Sequence, residues 1–472
     1  YTPSPWCAPA RACLASGTEF DNSPRIFNGE DYPLDTPTWY QALGDAGYHI
    51  MLAGKDDLTQ SLRGTHINGD RHTDVLGIHD WFRMQDKYAI YRKFPWDQFG
   101  AASYPKACGL PESGKAGLFE CNRWCYGMMG RGKCCKQIGY EGFYCDKYDQ
   151  VGANQEDYID NFVTAQAQLL LDRAPPGKPW AMQISFPGPH PPFIITEAMN
   201  QSIETQSFNV SRSNKQLPKW KQEIMRKQYA AEIENLDALF GRLLRTLETR
   251  GELDNTLVVV SSDHGEQLGD HNVWGKRTPW EPSIRVPLVI AGPGVAQGRV
   301  VDVPVSTLDV IGTFMEVARA SPRNMKNFDG RSLMPLLRAS APQADEESFL
   351  REKPFVTTGL TFTGPGAPWG IFTAPIDFRV VIQKINSTHT LKVICCTRGC
   401  PRGNPWAKSA FPKPQVLAYN VAGGGDGDKV NVIGVSREAQ LMVKKIPNHY
   451  GDYCWNWLNK NNLVLSQFDE VV

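Results

Sequence analysis

No run of about twenty consecutive apolar residues occurs in this chain of 472 residues, which argues against a helical membrane span. Charge of one sign is not in surplus either. Fifty basic residues balance fifty acidic ones, so no global field draws the protein to nucleic acid or to an anionic membrane. The opening Tyr1-Thr2-Pro3-Ser4-Pro5 has neither the charged start nor the apolar core of a signal peptide. No internal repeat is visible, and the polar turn Gly423 to Asp428 has no separate low-complexity role. The length fits one large domain with a smaller appendage, or two or three ordinary domains. Partners must therefore be read from sites.

What the chain does have is cysteine. Twelve are present, and six of them (Cys108, Cys121, Cys125, Cys134, Cys135, Cys145) crowd into one glycine-rich segment. This pattern suggests an oxidising compartment and a disulfide-stapled surface insertion. A zinc knuckle is the alternative, but the segment has no paired C-x-x-C spacing and no histidine between Cys108 and Cys145. N-x-S/T sequons at Asn200, Asn209 and Asn386 are compatible with a glycoprotein of the secretory pathway, extracellular or lysosomal, or with a periplasmic protein in a bacterium.

Short apolar strands alternate with helical patterns, the signature of an α/β fold whose mostly parallel central sheet is sandwiched by helices. The strand candidates are His49 to Ala53, Trp180 to Phe186, Leu257 to Ser262 and Val286 to Ala291. A helix is expected from about Trp220 to Arg250. Its apolar stripe would be Ile233, Leu236, Phe240, Leu243 and Leu247, with Glu232 elsewhere, so it reads as core scaffold. Thr59 to Gln150 lacks periodicity and reads as an irregular insertion over the active face. After about Ser340 the strands Phe378 to Gln383, Thr390 to Cys395 and Val416 to Tyr419 predict a small antiparallel sheet, and Ala439 to Lys445 begins a terminal helical region.

In open sheets of this kind ligands bind beyond the carboxyl ends of strands. Lys55, His190 and the pair Asp263-His264 each lie at or just after such an end, so their chemistry can converge. Asp263 and His264 are ligands suited to a divalent cation, and the blander reading of such a pair is a turn or cap. Near the other end of the chain, Cys7 precedes a helix expected from Ala8 towards Ser16, with Pro9 tolerated in its first turn. Such a position offers unpaired backbone N–H groups to an anion.

Cys7-Ala8-Pro9-Ala10-Arg11 reads as C-x-P-x-R, with Leu14-Ala15-Ser16-Gly17 following it. Then come Ala46-Gly47-Tyr48, Gly54-Lys55, Pro189-His190-Pro191-Pro192-Phe193, Ser262-Asp263-His264-Gly265-Glu266, Gly275-Lys276, Ser306-Thr307-Leu308-Asp309-Val310 and Asp329-Gly330-Arg331-Ser332-Leu333. In this order the motifs resemble a type I, formylglycine-dependent sulfatase of the alkaline phosphatase superfamily. The resemblance implies an alkaline phosphatase-like catalytic domain over 1–340, with the insertion at about 59–150 and a smaller subdomain over 341–472. It also implies that a formylglycine-generating enzyme converts Cys7 to formylglycine, whose hydrate attacks sulfur, with Arg11 holding the pentapeptide. Lys55 and Lys276 would bind sulfate oxygens, and His190 would protonate the departing alcohol. Asp263, His264 and the residue derived from Cys7 would hold Ca²⁺, with Mg²⁺ or Mn²⁺ as alternatives. The family places a strand with two metal-binding aspartates ahead of the cysteine motif, and the chain reads as lacking that strand.

Two details bear on the branch. Histidine at position 264 is familiar in the iduronate sulfatase and phosphonate hydrolase branches. Asp57 stands where the common motif has histidine two residues beyond the lysine, which resembles the arylsulfatase K branch, as does Gln216-Leu217-Pro218-Lys219-Trp220. Asp57 is accordingly expected to take part in the site, with pairing to Lys55 or turn capping as the plainer alternative. The expected substrate is a sulfated small molecule or glycan, a sulfated carbohydrate foremost. The rival readings are a phosphonate or phosphate diester hydrolase with the same nucleophile, and a non-catalytic binding protein that keeps the fold.

Overall fold

The computed structural model describes residues 1–24, 31–58, 65–67, 76–84, 158–211, 217–338, 342–362, 376–398, 415–422 and 433–461, apart from positions 192, 194, 323, 324, 326, 434, 435, 447 and 448. The expected disulfides between Cys108 and Cys145 lie outside these residues.

Helix α1 (Cys7–Ser16) follows an extended segment and starts at the cysteine itself, one residue earlier than its sequence suggests. Helix α2 (Trp39–Asp45) opens with a capping box, in which Thr38 Oγ1 accepts from the Gln41 N–H at 3.2 Å and Gln41 Oε1 accepts from the Thr38 N–H at 3.0 Å. It leads into β1 (His49–Gly54), a strand buried along its whole length. That burial explains an apolar run where a half-exposed strand would alternate. Next come β2 (Thr65–Ile67), β3 (Asp80–Met84), α3 (Ile159–Arg173), β4 (Trp180–Ser185), α4 (Lys219–Thr249), β5 (Val258–Ser261), β6 (Leu288–Ala291) and α5 (Leu308–Ala318).

The strands β2-β3-β1-β4 form one sheet, in which β1 runs parallel to both β3 and β4, and β2 is an antiparallel edge. Met51 and Ala53 face α3 and α4 through Val163, Ala167, Leu243 and Leu247; Ile50 and Leu52 face α1, α2 and α5 through Ala12, Trp39, Leu43 and Ile311. The period-2 alternation of β1 thus serves two cores, one on each side of the sheet. Gly54 pairs with Ser185 at the carboxyl ends of β1 and β4. Its φ is 93°, and a Cβ there would fall 2.1 Å from the Ser185 carbonyl oxygen, so only glycine lets the two chain ends run so close.

Three expectations are corrected. The sheet is narrower than the four strand candidates imply, because β5 and β6 pair with each other antiparallel, Val258 opposite Ala291 through Ser261 opposite Leu288. Parallel pairing needs a crossover, and the described connection between them contains only short helical turns. Within the segment read as irregular, residues 65–67 and 80–84 are strands of the main sheet, too short and too charged to show a period. Finally, α4 is rotated about its axis from the expected stripe: Ile233 is 46% exposed, whereas Glu232 is wholly buried. The buried line runs Met225, Gln228, Glu232, Asn235, Leu239, Leu243, Leu247, so the amino-terminal half of this helix buries polar groups.

A second sheet of order β10-β9-β8-β7 is antiparallel throughout, built from β7 (Val356–Phe362), β8 (Ile376–Lys384), β9 (Thr390–Arg398) and β10 (Gln415–Asn420). Strand β7 was not foreseen. One face packs Phe378, Val380 and Ile394 on Trp6 and Trp280, residues that flank α1 and the Lys276 loop. The wholly buried Lys392 lies 5.8 Å from the ring centroids of both Trp280 and Tyr419, with its Nζ 3.1 Å from Glu281 Oε1. The other face meets α6 (Arg437–Val443) and α7 (His449–Lys460).

A disulfide between Cys395 and Cys454 ties β9 to α7 across 59 residues. Closing a loop of that length restricts the unfolded chain by about 4 kcal/mol in the chain-entropy view. The Cys395→Ala/Cys454→Ala double variant should therefore lose about 2–5 kcal/mol of stability in a guanidinium titration. An unchanged midpoint would contradict this.

Candidate active site

Residues 2–6 run buried and extended into α1. Thr2 donates through its N–H to the Ile284 carbonyl at 3.0 Å and through Oγ1 to the Asp263 carbonyl at 2.5 Å, while the Pro3 and Pro5 carbonyls accept from the N–H groups of Gly359 (2.9 Å) and Arg277 (3.2 Å). This lashing sets Cys7, the first residue of α1, against the turn that ends β5. Cys7 Sγ accepts from Lys276 Nζ at 2.8 Å and lies 3.2 Å from His264 Nε2. Burial alone would push the Cys7 thiol up, but Lys276, Lys55 and His264 outweigh it and hold the thiol well below its ordinary range. Cys13, two turns on, shows the contrast: burial without such cations pushes it up to about 12.

Arg11 lies one turn past Cys7 and reaches two strand ends. Its Nε donates to Asp263 Oδ2 at 2.9 Å and its Nη1 to the Lys55 carbonyl at 2.8 Å. Burial opposes the charge of Asp263, yet Arg11 and His264 overcome that and hold its carboxyl far below the usual range. The Asp263 Oδ1 accepts from the His264 N–H at 3.0 Å. His264 Nδ1 lies 3.0 Å from the Gly265 carbonyl, which can only accept. Nδ1 therefore carries a proton, and Nε2 is turned towards Cys7.

Lys55 leaves β1 directly and pairs through Nζ with Asp57 Oδ2 at 3.2 Å; the same oxygen is 3.9 Å from Arg11 Nε. Asp57 is buried with φ 53°, a left-handed conformation that turns its carboxylate back towards the lysine. His190 follows β4, its Nδ1 donating to the Pro191 carbonyl at 2.6 Å and its ring hydrogen-bonded to Cys7. Burial, and then Lys276, push His190 down to about 3. All eight residues expected at the site thus gather around one pocket. Cys7, Asp263 and His264 offer ligand atoms within 4.8 Å of one another.

Other residues of this pocket carried no expected role. Tyr229 of α4 lines it beside Glu266, and burial with these carboxylate neighbours keeps its phenol protonated. Glu266 Oε1 accepts from the N–H groups of Gly275 at 2.5 Å and Leu268 at 3.3 Å; burial raises its carboxyl. Arg226 of α4 donates to the Leu268 carbonyl at 2.7 Å and to Asp270 Oδ1 at 2.9 Å. These bonds restrain the loop that delivers Lys276, in which Leu268, His271, Asn272 and Arg277 all have positive φ. The 3-to-4 spacing of Met225, Gln228, Glu232 and Asn235 was a signal that this face of α4 is inward, masked by its polarity.

The sulfatase family profile matches residues 1–320. The choline-sulfatase of Rhizobium meliloti (strain 1021) is 29% identical over 375 residues, covering 71% of this chain and 63% of that protein. Arylsulfatase K of Xenopus laevis is 25% identical over 375 residues, covering 72% of this chain and 59% of that protein. The chain thus spans less than two thirds of the length of either relative. In solved structures the same fold occurs in BT4656 in complex with its substrate D-glucosamine-2-N,6-O-disulfate, at a TM-score of 0.62 and 15% identity, covering 98% of this chain and 89% of that one. Because the family match takes in well over half of the chain and runs through every residue of the pocket, the chain belongs to the sulfatase family.

Proposed function

We propose that the protein hydrolyses the sulfate ester of a small sulfated molecule, a sulfated carbohydrate foremost, with formylglycine derived from Cys7 and a divalent cation. The observation that carries this reading is the meeting of Cys7 Sγ, Lys276 Nζ and His264 Nε2 within 3.2 Å beside Asp263. The donor set fits a cation: a carboxylate held ionised by Arg11, an imidazole whose Nε2 is aimed by the contact of Nδ1 with the Gly265 carbonyl, and the residue at position 7, whose side-chain atom lies within 4.8 Å of both. Lys276 Nζ already lies 2.8 Å from both Cys7 Sγ and His264 Nε2, so positive charge is accommodated between them. Asp263, His264 and the residue at position 7 would hold Ca²⁺, or Mg²⁺ or Mn²⁺ in its place. When these groups are in place, formylglycine supplies an oxygen nucleophile and the cation draws charge from the sulfate oxygens.

The chain's own residues supply the rest. Lys55 and Lys276 hold the sulfate as compact cations, and Arg11 keeps Asp263 oriented. A sulfate ester brings negative charge beside His190 and offsets the two lysines, which favours a proton on its ring. As the sulfur–oxygen ester bond breaks, its electron pair stays on oxygen and His190 donates the proton that completes the alcohol. Asp57, in place of the usual histidine, serves as proton acceptor in the same cluster. The Cys395–Cys454 disulfide supports maturation in an oxidising compartment, within the secretory pathway or a periplasm, where a formylglycine-generating enzyme would act on Cys7.

Cys7→Ala should abolish sulfate release from protein co-expressed with that enzyme while leaving the fold intact, as judged by circular dichroism. Wild-type turnover by the variant would dispose of the mechanism. Parallel assays on aryl sulfate and aryl phosphonate exclude the diester-hydrolase reading if sulfate is the faster substrate. A second expectation concerns Asp57. Carboxylates have a reference pKa of about 4 and imidazole about 6.5, so an aspartate base keeps working in more acidic surroundings. Asp57→Asn should lower kcat severely, and Asp57→His should move the acid limb of the kcat profile to higher pH; unchanged profiles in both would leave Asp57 a pairing residue only.

A further inference from the structure

The turn that carries His190 is held by a residue that belongs to none of the sequence motifs. Asp160 is the second residue of α3, wholly buried, and its carboxylate lies flat against Gly188. One oxygen, Oδ1, accepts from the Gly188 N–H at 2.9 Å. The other is so near that a Cβ built on Gly188 would fall 2.6 Å from it. The first turn of a helix favours a carboxylate, because its free N–H groups point that way. Asp160 is thus settled by α3 and in turn settles Gly188.

From Gly188 the restraint passes to His190 along a stiff path. Pro187, Pro189 and Pro191 fix the φ angles around it. The His190 N–H donates to the Pro187 carbonyl at 3.1 Å, and the ring Nδ1 donates to the Pro191 carbonyl at 2.6 Å. A turn closed on itself in this way moves as a body. A shift of its Gly188 end therefore relocates the imidazole, which the opposite wall presents with Cys7 and Lys276.

We propose that Asp160 is a positioning residue that sets His190 at the departing ester oxygen; this rests on the reading of His190 as the proton donor. The requirement is geometric, since proton transfer needs the ring nitrogen within hydrogen-bond reach of that oxygen while the sulfur–oxygen bond opens. Sulfur passes to the oxygen nucleophile at position 7 as the ester bond breaks, that bond's electron pair goes to the departing oxygen, and the proton follows from the imidazolium. A donor out of place matters most when the oxygen leaves poorly without a proton, and least when it leaves well as an anion.

The test is a series of aryl sulfates running from 4-nitrophenyl sulfate, a good leaving group, to phenyl sulfate and its methoxy derivative, poorer ones. It uses the intact, formylglycine-bearing protein. Since general acid catalysis contributes about 10²–10⁴-fold, Asp160→Ala should lower kcat for the poorest leaving groups by about 10²-fold and for 4-nitrophenyl sulfate by less than about 3-fold. His190→Ala should show the same steepened dependence, more strongly. Asp160→Asn, which keeps an amide oxygen for the Gly188 N–H, should return the slope towards that of the wild type. Gly188→Ala displaces the same contact from the other side and serves if Asp160→Ala does not fold. A steep slope for His190→Ala with a uniform loss, or none, for Asp160→Ala and Gly188→Ala overturns the inference and leaves the acid role standing. A uniform loss for His190→Ala overturns the acid role and the inference with it.

Discussion

Arg11 is the bolt of this molecule. A single planar guanidinium joins the cysteine helix to the ends of two strands, taking Asp263 on one side and the Lys55 carbonyl on the other. The three elements come from positions 7–16, 49–55 and 258–263, and no covalent link holds them in common. A lysine would carry the same charge without the fixed fork that satisfies both acceptors at once. The bond also settles the electrostatics. Asp263 is held in its ionised form although buried because Arg11 faces it, and an ionised Asp263 beside His264 is what would suit the turn to the proposed cation.

Around that bolt the site is built to hold negative charge. Arg11, Lys55 and Lys276 are three basic side chains set against the carboxylates of Asp57 and Asp263. The imbalance is visible in Cys7, whose thiol is held low against the opposing effect of burial, and in His190, which is held neutral. A buried cluster of basic groups is costly to assemble, since like charges repel one another where water cannot screen them. The restraints on its loops offset that cost. Glu266 and Arg226 fasten the Lys276 loop, Asp160 fastens the His190 turn, and the second sheet packs Lys392 and Phe378 against the flanking tryptophans. The site is thus tied to its surroundings where charge is concentrated.

Much of this was legible in the chain. Lys55, His190 and Asp263 could be placed because each follows an apolar run, and β1, β4 and β5 stand where those runs predicted. Cys7 could be placed because Pro9 and the small residues after it mark a helix start. Illegible were the features set by packing between distant segments. Strand β3 is held by its pairing with β1 and carries too few residues to show a period, and Leu360 of β7 is buried among Trp6, Trp280 and residues of β8 and β9 that are distant in sequence. The inward face of α4 includes Gln228, Glu232 and Asn235, so polarity argued for solvent where the helix is buried. Asp160 reads as an ordinary first-turn acid. Only the fold shows that Gly188 sits on it.

The central claim is that the cysteine helix and the Asp263-His264 turn meet to form one oxyanion site. Its most direct test is anomalous diffraction from crystals of the formylglycine-bearing protein soaked in selenate, a heavy mimic of sulfate. The account predicts a selenium peak whose oxygens lie within hydrogen-bond reach of Lys55 Nζ and Lys276 Nζ, beside residue 7. Selenate bound elsewhere on the protein with no density in this pocket would contradict it.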